Sequence, residues 1–311
     1  MKISHGGLSA YLLFFGATLQ DLRLQGTDHS LTLGYPDFEP YLKNSNYIGS
    51  AIGRVANRIS GASACLDGDN IALDPNYLGR HHLHGGSGGS SHRNWRVLEP
   101  SQNEVVCGDV LPDGHMGFPG NLTVLASFSI ADGHAFTITY KGRTDAVTLC
   151  NFAPQFYFNL DGSADVRHHQ LSVAADHILT VDHEGIPSGD TAAVDGTPFD
   201  FRSSRPLAKG KEITSIDHNY CLDNQGPEGA TVAKLSSLFS GISPNIQTSE
   251  PGLQVYSGSG ISHPSTVQAF AGIALEPQIW PDAPNHPHFP TAMLRPGEMR
   301  RQRSRFVLRK L

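Results

Sequence analysis

Apolar and polar residues alternate with a period of two over many short stretches. Leu122, Val124 and Ala126 lie two apart with Thr123 and Ser127 nearby, and Phe136, Ile138 and Tyr140 are separated by Thr137 and Thr139. That spacing puts one set of side chains on one face of a strand and the other set on the opposite face. Further strands are predicted at 18–24, 71–73, 95–98, 170–174, 253–257, 271–275 and 305–308, with turn-rich segments between them. Segment 231–240, TVAKLSSLFS, fits a helical turn or another strand equally well. The pattern predicts an all-β fold with many antiparallel strands in two packed sheets. The Ser/Gly-rich stretch 85–91 is too short for a linker, so residues 1–311 read as a single domain.

Composition strengthens this reading. With 33 Gly and 20 Pro in 311 residues, few stretches are long enough for helices, while a 39% hydrophobic content supplies a large core. The net charge of -6, with signs interspersed, argues against a nucleic-acid partner. The Arg-rich tail 295–309 is broken by Pro296 and Gly297 and reads as a last strand with a solvated cationic face. Cys65, Cys107, Cys150 and Cys221 form no CxxC pair or metal-ligand spacing and are expected to be free thiols in a reducing compartment. The apolar run at 11–15 is too short for a signal or membrane segment. The expected location is therefore the cytoplasm, without membrane association.

Three regions carry candidate chemistry. In GRVANRI, residues 53–59, Arg54 and Arg58 are four apart and share a face if the segment is one strand. There they either offer donor forks to a hydroxyl-rich or anionic ligand or bond backbone carbonyls as a structural pair. In HHLHGGSGG, residues 81–89, alternation puts His82 and His84 on one side, and the glycines allow a ligand close to the backbone. A metal site is the alternative there, but no carboxylate completes the spacing nearby. In the C-terminal third, Glu276 ends the apolar run AGIAL and precedes Pro277. A carboxylate at such a strand end emerges from a partly desolvated setting that raises its basicity.

Taken in order, these segments resemble the aldose 1-epimerase (galactose mutarotase) family. The matching motifs are GRVANRI at 53, LHGG at 83 with Trp95, YFNL at 157, TPFDF at 197, DHNY at 217, PGLQVY at 251, LEPQ at 275, PDAPN at 281 and PGE at 296. The resemblance implies a large antiparallel β-sandwich of the galactose mutarotase-like supersandwich type, acting on a small carbohydrate without cofactor or metal. In that family a Glu takes the proton from the anomeric hydroxyl and a His protonates the ring oxygen, after which the sugar opens and recloses on the other face. By position, Glu276 is the base, Asp217 accepts from sugar hydroxyls, and Arg54 and His84 donate in the cleft. Asn57, Tyr157 and Gln278 are further substrate contacts on the same ground.

One departure bears on the chemistry. The family's general-acid His falls on Gln155 in the stretch NFAPQFYFNL, and an amide donates a hydrogen bond but not a proton at neutral pH. Gln155 therefore joins Glu276 and His84 as a candidate at the reacting centre. Three expectations follow: a mutarotase, either slow or with His84, His218 or a bound water as substitute acid; a relative turning over a different cyclic substrate; or a sugar-binding protein without catalysis. By alternation, His218 faces away from Asp217. The oligomeric state is read as monomer or homodimer.

Overall fold

The computed structural model describes residues 1–43, 45–210, 212–222, 229–262 and 267–311. Two large antiparallel sheets dominate. The nine-stranded sheet runs, in spatial order, Arg205–Pro206, Gln170–Val173, Ala233–Ser236, Ile242–Thr248, Arg300–Lys310, Ala135–Thr144, Leu122–Ala131, Glu104–Leu111 and Arg96–Pro100. The six-stranded sheet runs Tyr157–Phe158, Ile273–Gln278, Gly252–Tyr256, Asp217–Cys221, His177–Val181 and Pro187–Ala193. A three-stranded sheet, Lys2–His5, Leu8–Leu13 and Thr18–Leu24, precedes them. Among the described residues the α-helical content is one turn, Glu39–Leu42, and no helix is long and apolar enough to cross a membrane.

The predicted alternation is visible in the burial of the strands. In Leu122–Ala131 the residues Leu122, Val124, Ala126, Phe128 and Ile130 are buried and their neighbours are not. In the last strand, Gln302, Ser304, Phe306 and Leu308 point inward while Arg301 is exposed and Arg303 and Arg305 are half-buried, the expected cationic outer face. The segment left open between helix and strand contains the strand Ala233–Ser236. One contiguous apolar core draws Phe128, Phe136 and Phe306 from the nine-stranded sheet and Tyr220, Leu253, Val255, Ile273 and Leu275 from the six-stranded one. The two sheets thus face each other across it, as a sandwich requires. Three of the cysteines are buried, and none of the four forms a disulfide.

The six-stranded sheet positions the site because its two faces differ. Tyr220, Leu253, Val255, Ile273 and Leu275 point into the core. The residues between them, Asp217, Asn219, Gln254, Tyr256, Glu276 and Gln278, point the other way and form a polar face. The register aligns Asn219 with Gln254 and Gln254 with Glu276, while Asp217 pairs with Tyr256, Tyr256 with Ala274, and Ala274 with Tyr157.

Candidate active site

Glu276 lies within its strand rather than at the end. The strand continues through Pro277 to Gln278. Its short neighbour Tyr157–Phe158 pairs only with Ala274 and Ile273, so the ladder on that side has stopped before Pro277, where a missing N–H costs the sheet little. Continuing that register back from Tyr157 brings Gln155 opposite Glu276. The Gln155 Nε2–H donates to Glu276 Oε1 at 2.8 Å and to the Tyr157 hydroxyl at 3.3 Å. Glu276 Oε2 has no protein partner, although the residue is only 2% exposed. Burial, with the nearby Asp217 carboxylate adding to it, pushes the Glu276 carboxyl up to about 8.

The rest of the cleft converges on this carboxyl. Asp217 accepts from Gln254 Nε2 at 2.6 Å and from Arg58 Nη2 at 3.1 Å. The Arg58 guanidinium lies over the Tyr77 ring, 5.1 Å from its centroid. His84 follows the two-residue strand His82–Leu83, which pairs with Arg58–Ile59. Its backbone N–H donates to the Asn57 carbonyl at 3.0 Å, and its Nδ1 accepts from the Asn57 backbone N–H at 3.1 Å. That bond assigns the ring proton of the neutral imidazole to Nε2. Burial, then the charge of Arg58, pushes His84 down to about 3, so the ring is neutral at ordinary pH. Tyr47, Tyr157 and Tyr256 supply aromatic walls around a cleft of about 220 Å³. A larger groove of about 520 Å³ along the N-terminal sheet, lined by Tyr11, Asp21 and Tyr35, has no comparable convergence of catalytic groups.

Four further sequence expectations require correction. Arg54 does not reach the cleft. It is 1% exposed, and its guanidinium donates to the carbonyls of Leu111, Pro112, Pro119 and Gly120 and to Thr148 Oγ1, at 2.8 to 3.3 Å. The shared-face argument fails because GRVANRI is not one strand: Asn57 has φ of +66°, and only Arg58–Ile59 at its end is extended in a ladder. Gln278 is fully buried, about 6.6 Å farther along the strand than Glu276 at 3.3 Å per residue, and is absent from the cleft lining. His82 is buried against Phe118 with Nδ1 on the Asp74 carbonyl at 2.9 Å, because His84 leaves the strand at φ of +53° and alternation ends there. The glycine after His84 serves the chain itself rather than a ligand. A Cβ on Gly85, whose φ is +84°, would lie 1.8 Å from the Gly53 carbonyl oxygen.

Glu276, Gln155, His84, Asp217, Asn57 and Tyr157 all line the cleft. His218 packs on Phe199 with ring centroids 4.3 Å apart, on the core-facing side, and does not line it. Arg58 lines it, in keeping with the donor-fork alternative for GRVANRI, and so does Gln254, which the sequence reading does not single out. The signal for Gln254 was present: a polar residue between Leu253 and Val255 shares the face of Glu276 in the neighbouring strand. Among the described residues, no three of His, Cys, Asp and Glu converge as a metal site would need.

A buried carboxyl, an Arg–Asp pair, a fixed imidazole donor and three tyrosines in a small cleft make an acid–base site suited to a hydroxylated ring. The chain belongs to the aldose 1-epimerase family, whose family model matches residues 1–307. It is 34% identical to an aldose 1-epimerase of Escherichia coli K12 over 95% of this chain and 90% of that one. It is 36% identical to a galactose mutarotase of Bos taurus over 92% and 87%. Among solved structures, a GalM/aldose epimerase homologue from C. elegans superposes with a TM-score of 0.95 at 30% identity, covering 100% of this chain and 98% of that one.

Proposed function

We propose that this protein is an aldose 1-epimerase that interconverts the α and β anomers of a free aldose such as galactose or glucose. The observation that carries the reading is the buried Glu276 carboxyl, with one oxygen unpartnered, in a cleft shared with Arg58, His84, Asp217 and Gln254. Ring opening removes a proton from the anomeric hydroxyl and adds one to the ring oxygen. Rotation about C1–C2 and closure on the other face complete the exchange. Glu276 acts at the anomeric centre. Asp217 accepts from sugar hydroxyls, and Arg58 and His84 Nε2–H donate to them. Four cysteines without a disulfide among them suit a reducing compartment, and the cytoplasm is the proposed location.

The test is anomer exchange followed by polarimetry or NMR from fresh α-D-galactose and α-D-glucose. The protein is expected to accelerate exchange above the buffer rate. Glu276→Gln should lower kcat/KM by about 10²- to 10⁴-fold while sugar binding persists. No acceleration with any aldose would overturn the reading. Gln155, standing where the family resemblance implies an acid, favours a second reading, a sugar-binding protein without turnover; retained binding with no turnover in the wild type would support it.

A further inference from the structure

If the protein opens sugar rings, some group must deliver a proton to the ring oxygen, and the cleft offers few. Gln155 carries no acidic proton, and its Nε2 already serves Glu276 and Tyr157. His84 takes the Asn57 N–H on Nδ1, and its remaining Nε2–H belongs to a neutral imidazole, which donates a hydrogen bond but does not release a proton. Tyr157 is fully buried beside Glu276, and burial first, then that carboxyl, pushes its hydroxyl well above the ordinary tyrosine range. Asp217 is engaged by Arg58 on one oxygen and by Gln254 on the other.

Glu276 differs from all of these. Its Oε1 is held by Gln155 and its Oε2 by nothing in the protein. The two oxygens of a carboxyl are a 1,3 pair on one carbon, and so are the anomeric hydroxyl and ring oxygen of a cyclic sugar. The two pairs match in spacing and can exchange two protons face to face.

We propose that Glu276 acts in its neutral form as both acid and base, one oxygen for each task. This rests on the aldose 1-epimerase reading. Oε2–H donates its proton to the ring oxygen while Oε1 takes the proton of the anomeric hydroxyl. The C1–O5 bond breaks, C1=O1 forms, and the carboxyl is left neutral with its proton moved from Oε2 to Oε1. After rotation about C1–C2, the C5 hydroxyl attacks C1 and returns its proton to Oε2 while Oε1–H reprotonates O1. No proton is gained or lost over the cycle, and no second acid is needed. The substitution of Gln for the expected His is then consistent with turnover: the amide fixes Oε1 without competing for the proton.

The surroundings keep the carboxyl neutral. Burial comes first, and the Asp217 carboxylate on the adjacent polar row adds to it. The Gln155 hydrogen bond and the Arg58 guanidinium oppose them, and the balance stands at about 8. The other titratable groups facing the cleft are Tyr47, Tyr157, Tyr256 and His84.

The experiment is kcat/KM for anomer exchange in the intact wild-type protein from pH 5 to pH 10, corrected for the buffer rate at each pH. Because kcat/KM reports the free enzyme, the proposal expects a plateau at low pH and a fall approaching tenfold per unit above about 8. A rate that rises with pH through that range means that the carboxylate is the working form, and overturns the proposal while leaving the epimerase reading intact. A proton inventory in mixed H₂O and D₂O on the plateau checks the same step. A bowed dependence, from two protons in flight, supports the proposal, and a linear one-proton dependence overturns it. Absence of acceleration at every pH would instead overturn the epimerase reading, and this inference with it.

Discussion

Arg54 and Arg58 lie four residues apart in one motif and do different work. Arg54 ties four backbone carbonyls and one hydroxyl together inside the protein, and burial pushes its guanidinium down to about 10. Removing it strands those acceptors, so Arg54→Met should cost at least about 1–3 kcal/mol, the penalty of one buried acceptor left unpaired, in urea unfolding. Its kcat/KM per folded molecule should stay close to wild type. Arg58→Ala should do the reverse, with a smaller loss of stability and kcat/KM lower by about ten- to a hundredfold, the worth of a hydrogen bond to a charged group. If Arg54→Met instead lost activity with stability intact, the structural assignment of Arg54 would be wrong. The sequence could not separate the two arginines, since residue type and spacing are compatible with either role. What divides them is a single left-handed residue, Asn57, to which periodicity is blind. The position of Glu276 in the cleft is legible for the opposite reason: a lone carboxylate in an apolar strand run stands out from its surroundings.

At the scale of elements, the long alternating strands were readable because burial on one face imposes a period of two, and 18–24 matches Thr18–Leu24 in full. The two-residue strands in and beside the cleft leave no such trace. Ala51–Ile52, Arg58–Ile59, His82–Leu83 and Ala153–Pro154 are too short for any pattern, and tertiary pairing defines them. Loop contact therefore sets the position of His84. Gly85 lies so close to Gly53 that Gly85→Ala should displace the loop, release His84 from Asn57 and lower kcat at least tenfold. The strained φ should also destabilise the protein by more than about 1 kcal/mol. Wild-type kcat in that variant would mean that the loop does not govern the site.

For the whole molecule, the chemistry at the site conflicts with stability in a pH-dependent way. A carboxyl raised from 4.5 to about 8 favours its neutral form in the folded state. Its contribution is therefore fully present below about 4.5 and is lost as pH rises toward 8. Glu276→Gln should accordingly match the wild-type Tm near pH 4.5 and exceed it at pH 8.5, by roughly 2–4 °C for each kcal/mol recovered. An equal Tm at both pH values would mean that the carboxyl is not held neutral. His84 acts in the other direction, since burial holds it neutral down to about 3 and its cost to folding grows as pH falls below 6.5.

The polar face of the six-stranded sheet has one more consequence. Asn219, Gln254 and Glu276 stand in a single row across three strands, with the core residues Tyr220, Leu253, Val255 and Leu275 next to them along those strands. A slip of one residue in any of these strands would turn a core-facing leucine, valine, isoleucine or tyrosine into the cleft and a polar side chain into the core. The active site and the hydrophobic core are thus two readings of one pairing register. Drift in either would be penalised by the other, so the fold proofreads its own catalytic geometry each time the sheet forms.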